Sequence, residues 1–299
     1  MQYADPRTDF AFKKIFGNKK AKDIVISFLH AVLNLDAAHA IAEVAILNPY
    51  EAPKTKYMRA SYVDVKCVDV RGISYIVEMQ VAYVAGFEKR VIYNASKAYS
   101  NQLLVGEAFP QLNQVISINI LDFTLFDDFG HYLSCHRIKE TITGNSYLDE
   151  IRYYFIELPK FAKPEEELET VIEKWAYFIK HTRRLDHVPA KLDEPTFRKA
   201  FELANRANMT PKELEHYENS MLVMLDEQGR IDGAFAKGEQ LGRKEGREEG
   251  REEGREEGRE EGKQNKTWEI ARLMRRKNMA SSLIAEFTGL AMEEIEKLE

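Results

Sequence analysis

Two cysteines in 299 residues, Cys67 and Cys135, are too few for a disulfide framework or a Cys-rich zinc site. Long apolar runs are missing too. No stretch approaches the roughly 18 residues that a membrane span needs, so no membrane partner is expected. The opening Met1-Gln2-Tyr3-Ala4-Asp5-Pro6 lacks the basic-then-apolar pattern of a secretory signal, and the expected location is cytoplasmic. The seven histidines include no His-Glu-x-x-His and no other close metal spacing. No Gly-x-x-x-x-Gly-Lys loop is present, so no nucleotide cofactor is expected. Cys135 and His136 are adjacent, a poor geometry for a nucleophile and its base, and Cys67 falls on a buried strand parity. Neither charge sign dominates. There are 43 Lys+Arg against 49 Asp+Glu, a formal net charge of −6. A slight basic excess is confined to the first 125 residues, where a polyanion partner is allowed but not demanded.

What remains is a chain 44% hydrophobic, enough for a real core. Its length suits one large domain plus an appendage, or two domains. The first part reads as mixed α/β. Lys20 to Leu33 carries Ile24, Val25, Phe28, Leu29 and Val32 at amphipathic-helix spacing, and Asn34 breaks it. Ile41 to Leu47 is β-rich and ends at Asn48-Pro49. Tyr62 to Val70 alternates, Ile73 to Val81 is a second strand, Arg90 to Val105 has a helical period, and Gln114 to Phe123 is an apolar strand. The order is α-β-β-β-α-β, with a further strand at Arg152 to Glu157. From Pro164 the text turns helical, with Trp175, Phe178, Ile179 and Phe201 as its apolar marks. It reads as a lid packed on the sheet.

Glycine then recurs every fourth residue from Gly238 to Gly262, often with Arg-Glu-Glu between. Each interior glycine costs a helix about 1 kcal/mol against alanine. Without an apolar stripe the tract is no coiled-coil seam, and it reads as a solvated helix or spacer. Two short helical patterns split at Gly289 end the chain. A DNA-reading helix-turn-helix is disfavoured there, because Glu293, Glu294, Glu296 and Glu299 do not belong against phosphates. The expected division is 1–163, 164–236, 237–266 and 267–299.

The informative stretch is 62–80. Val70-Arg71-Gly72 fits a three-residue hairpin loop with Gly72 in the left-handed position. Residues equidistant from Arg71 then face one another, and Asp64 faces Glu78. Opposed residues have Cβ atoms about 4.5–5.5 Å apart, so two carboxylates placed so repel. A proton or a cation between them relieves the repulsion. A solvated polar strand face would show the same residue types. Gln80 shares the face of Glu78, and Lys66 that of Asp64.

Asp64, a hairpin and Glu78-Met79-Gln80, on an α-β-β-β-α-β order, resemble the PD-(D/E)XK nuclease superfamily, in particular its recombination-promoting, transposase-like branch. Further points of resemblance are Thr8-Asp9-Phe10-Ala11-Phe12-Lys13-Lys14-Ile15-Phe16-Gly17, Arg90-Val91-Ile92-Tyr93 and Phe155-Ile156-Glu157-Leu158-Pro159-Lys160-Phe161. So are the Gly-Arg-Glu-Glu tract and Ile284-Ala285-Glu286-Phe287-Thr288-Gly289-Leu290. The resemblance implies an α/β fold with a restriction-endonuclease-like core and mixed sheet, followed by a helical region and a charged helical tail. It implies Mg²⁺-dependent (or Mn²⁺-dependent) cleavage of DNA, linked to recombination or mobile elements. Asp64 and Glu78 would hold the metal. Asp9 would be a further acidic ligand, or only the N-cap of a helix before Phe10. Gln80 stands where the superfamily more often has lysine, and an amide carries no charge. Lys66, Arg90 and Lys97 are the candidate cations in its place. Cutting two strands with one site per chain would call for a homodimer. The alternative is a non-catalytic nucleic-acid-binding or assembly protein on the same fold. RNA as the substrate also stays open, because nothing in the sequence reads a 2′-hydroxyl.

Overall fold

A computed structural model describes residues 2–51, 61–104 and 106–298. Their contacts divide the chain into two compact units, Met1–Ile231 and Asp232–Glu299. No helix among the described residues is long and apolar enough to cross a membrane.

The first unit opens with two helices, α1 (Asp9–Phe16) and α2 (Lys22–Leu33). The N-cap of α1 is Thr8, whose side chain accepts from the Ala11 N–H; Asp9 is the first helical residue, not the cap. Helix α2 ends where Asn34 turns left-handed at φ 48°. Strand β1 (Val44–Ile46) follows, then the short pair β2 (Tyr50–Glu51) and β3 (Ser61–Tyr62). The main hairpin is β4 (Val65–Asp69) with β5 (Ser74–Gln80). Helix α3 (Phe87–Ser100) comes next, and then β6 (Val115–Leu121), β7 (Leu133–His136) and β8 (Ile151–Glu157). Val105, the expected end of α3, lies outside the described residues.

The six-stranded sheet runs β1-β4-β5-β6-β8-β7. The β5–β6 and β6–β8 pairs are parallel; the other three are antiparallel. Every residue of the inner strand β6 is buried, as expected of a parallel strand covered on both faces. One face carries Cys67, Tyr75, Val77, Ile118 and Ile156 into the main core with α1 and α2. The opposite face packs Ile76 and Val115 under Ala95 and Ala98 of α3, and Leu121 and Phe155 under Phe87 and Val91. The α-β-β-β-α-β core is therefore present, with α1 before it. The strand read over Tyr62–Val70 is interrupted at residues 63–64, so β3 pairs elsewhere and Asp64 stands just ahead of β4.

Helices α4 (Val171–His181) and α5 (Pro195–Ala204) complete the main core rather than forming one of their own. Trp175 is fully buried there. Its ring lies 4.3 Å from that of Phe197 and 5.5 Å from that of Phe16, and its indole N–H donates to Ser27 Oγ at 3.2 Å. Helix α6 (Pro211–Arg276) begins in the first unit. Within that unit Tyr217 Oη accepts from the Asp5 N–H (3.1 Å), Ser220 Oγ accepts from the Phe10 N–H (3.2 Å), and Lys14 pairs with Glu213.

In the second unit the glycine-repeat tract is helical and exposed throughout. The end of α6 packs with α7 (Ser281–Thr288) and α8 (Met292–Glu296) around Ala271, Ile284, Ile295 and Leu298. Gly289 caps α7 at φ 72°.

The hairpin register is the feature that positions the site. Val65 pairs with Val77, Lys66 with Ile76, and Val68 with Ser74. The Gly72 N–H donates to the Asp69 carbonyl (3.0 Å), and Gly72 has φ 83°. A Cβ at Gly72 would be strained in this backbone conformation and would stand 2.8 Å from the Asn113 side chain. Gly72→Ala is expected to destabilise the protein by about 1–2 kcal/mol, read as a lower urea midpoint at unchanged m-value.

Candidate functional site

Asp64 stands one residue ahead of the ladder pair Val65–Val77 and so comes beside Glu78, whose carboxyl feels its charge. Asp64, free of the β4 ladder, turns its carboxylate to the backbone of β5, where Oδ2 accepts from the Met79 N–H at 2.8 Å. Glu78 is buried, and its Oε1 accepts from Asn94 Nδ2 of α3 at 2.8 Å. Both carboxyls titrate high. Burial pushes Asp64 up to about 6, against the lowering effect of the Met79 N–H and Lys13, and nearby Asp9 pushes in the same direction as burial. Burial also pushes Glu78 up to about 7; Asn94 and Arg90 oppose this, while the Asp64 charge adds to it.

These two residues line a cavity of about 410 Å³ together with Asp9, Gln80 and Arg90. Gln80 is held at both ends: its Nε2 donates to the Ala82 carbonyl (2.8 Å), and its Oε1 accepts from the Arg90 guanidinium. Asp9 is largely exposed and holds Lys13 Nζ at 2.5 Å.

The other expected cations are placed elsewhere. Lys66 lines a neighbouring cavity that also contains Asp64. Lys97 lines neither cavity; it is buried in α3, with Nζ 5.8 Å from the centre of the Tyr93 ring. The ammonium that reaches Asp64 is that of Lys13, 3.6 Å from Oδ1. Burial alone would lower the Lys13 pKa, but Asp9 and Asp64 hold it above the usual lysine value.

Several contributors were not singled out by spacing. Lys13 had a visible signal, since it lies one helical turn after Asp9. Asn94 is a polar residue in the buried stripe of α3, between Val91 and Ala98, and that misfit is its signal. Ser220, Val223, Met224 and Glu227 of α6 wall the cavity on one helical face. Their spacing says helix, but not which surface the helix meets. Arg7, also in the lining, is held by Asp5 at 2.8 Å and Asp122 at 2.7 Å.

No group of three or more His, Cys, Asp or Glu side chains that could hold a metal ion is found among the described residues. The pair Asp64 and Glu78 still fits a hard divalent cation. Its donors are carboxylate oxygens, no thiol or imidazole lines the cavity, and Mg²⁺ takes one or two carboxylates with water and phosphate filling the rest. Burial and mutual repulsion disfavour ionising both acids, and a cation would reverse that preference.

A raised carboxyl pKa means that the folded state holds its proton more tightly than the unfolded state does. Stability from these groups is therefore full below the ordinary carboxylate range and is lost as pH rises through about 6 to 7. In EDTA, Asp64→Asn and Glu78→Gln should each unfold later than the parent at pH 8, by on the order of 2 kcal/mol, and alike near pH 4. Thermal melts across that range measure it.

The sequence has a counterpart among known families. Residues 6–234 match the family model described as PD-(D/E)XK nuclease family transposase. No curated protein and no solved structure matches the chain.

Proposed function

We propose that this chain, which belongs to the PD-(D/E)XK nuclease family of transposases and has its restriction-endonuclease-like α/β fold, is a metal-dependent DNA endonuclease serving recombination or a mobile element. The observation that carries the reading is the pairing of a half-buried Asp64 with a buried Glu78 in the lining of one cavity beside the β4–β5 hairpin.

Mg²⁺ or Mn²⁺, held by Asp64 and Glu78, would polarise the scissile phosphate and lower the pKa of an attacking water. The protein's own residues set up that chemistry. The Met79 N–H and the Asn94 amide fix one oxygen of each carboxylate, so neither side chain is free to turn away. Gln80 carries no proton worth transferring, and both ends of its amide are in use. Its part is to hold Arg90, whose fixed charge faces the negative charge that grows on the phosphate. Lys13 balances Asp64 and Asp9 from the side of α1.

A second reading, a DNA-binding or assembly protein without cleavage, draws on one observation: the amide at position 80 leaves the cavity without an ammonium among its lining residues.

Nicking of supercoiled plasmid separates the two. Purified protein should nick in Mg²⁺ and not in EDTA, and Asp64→Ala should fall to background while still binding DNA. Cleavage that survives in a pure Asp64→Ala sample would remove the site assignment. Folded protein that cuts in no metal would favour the second reading. Mg²⁺ at 100 times its Kd should also stabilise the parent by about 2.7 kcal/mol, and the Asp64→Ala protein by much less.

A further inference from the structure

Asp64 borders two cavities, and their charges are opposite. The first holds four carboxylates, those of Asp9, Asp64, Glu78 and Glu227, against two guanidiniums, Arg7 and Arg90. The second, about 460 Å³, is lined by Lys13, Lys19 and Lys66, and Asp64 is its only acidic residue. Three separate pieces of chain build it. Lys13 comes from the last turn of α1, Lys19 from the exposed turn that follows, and Lys66 from β4. The wall at 47–49 is held by main-chain bonds: the Leu47 N–H donates to the Lys66 carbonyl (2.8 Å), and the Val63 N–H donates to the Pro49 carbonyl (3.2 Å). Gly17 also lines it. A Cβ there would stand 2.7 Å from the Lys13 carbonyl oxygen, so the tight turn that returns Lys19 to this cavity needs a residue without a side chain.

We propose that the lysine cavity is a subsite for the substrate's phosphodiester backbone, taking a phosphate that flanks the bond presented to Asp64 and Glu78. The inference rests on the nuclease reading and deepens it. A polyanion gains little from a cavity in which four carboxylates outnumber two guanidiniums, and a bound divalent cation at most neutralises it. A strand needs cationic purchase beside the acid, and the only cavity that shares Asp64 among those described supplies it. Lysine is a compact point charge that suits a phosphate and reads no base. The substrate class is therefore a continuous strand, held without regard to sequence, with at least one phosphate beside the scissile one. Lys66 thereby binds substrate rather than serving the reacting atoms.

The test uses full-length protein carrying Asp64→Asn, which leaves the strand uncut, and a fluorescein-labelled 20-base-pair DNA duplex. Affinity is read by anisotropy across a salt series. Removing one lysine–phosphate pairing should lower the slope of log K against log salt by about 0.9. Lys19→Gln with Lys66→Gln is expected to lower it by about two such steps, and Lys19→Gln alone, on an exposed turn, by about one. Lys13 is left in place because it touches Asp64. Lys139→Gln with Lys191→Gln, outside both cavities, is the control pair. A Lys19/Lys66 slope that moves no more than the control overturns the proposal, whether or not the parent protein cuts. In cutting assays with Asp64 intact, the same pair should raise KM about tenfold at unchanged kcat. A fall in kcat at unchanged KM would also overturn the proposal, by placing these lysines with the reacting atoms. Failure of the nuclease reading itself would show separately, as a parent protein that cuts nothing.

Discussion

Two carboxylates facing each other across the β4–β5 hairpin are the constraint on which the rest of the site depends. Nothing in a folded protein favours such a pair for its own sake. Each side chain loses water, and Glu78 is disfavoured further by the charge of Asp64. The surrounding structure accepts this cost and holds the pair in place. The loop at Val70-Arg71-Gly72 sets the register, the Met79 N–H and Asn94 each occupy one carboxylate oxygen, and α1 brings Lys13 alongside. Under the nuclease reading, a bound cation would relieve a repulsion that the surrounding contacts keep the side chains from relieving by moving.

The fold explains why the pair stays put. Strand β5 lies between the antiparallel β4 and the parallel β6, so both its edges are hydrogen-bonded. Its faces are covered by different helices: α3 on the side of Glu78 and Gln80, and the α1, α2, α4 and α5 core on the other. Helix α3 does two jobs at once. Val91, Ala95 and Ala98 anchor it, while Arg90 and Asn94, on either side of Val91, reach Gln80 and Glu78. The apolar stripe fixes the helix, and the helix fixes the polar contacts.

The hairpin was readable because its geometry is local. Loop length sets register, register sets which residues oppose, and no distant contact is needed. The strands of the core were readable for a similar reason: β4 alternates between buried and half-buried residues, and β6 is a short continuous apolar run. What escaped reading is long-range. Strand β7 pairs with β8 across a loop, and its Ser-Cys-His text carries no strand pattern. Helices α4 and α5 were legible as helices, but that Trp175 packs on Phe16 and Phe197 is settled only by tertiary packing. Among the candidate cations, Lys66 shares a strand face with Asp64, and Arg90 and Lys97 lie seven apart on the helix that follows Gln80. The structure sends them to three places, and brings Lys13 from far upstream in α1 to Asp64.

The amide at position 80 follows from this arrangement. A lysine there would set a second cation against Arg90, and the two would repel at short range. Glutamine instead accepts from the Arg90 guanidinium with one end and ties itself to the Ala82 carbonyl with the other. The positive charge facing the cavity is thus carried by α3, ten residues on, and β5 contributes only its anchor.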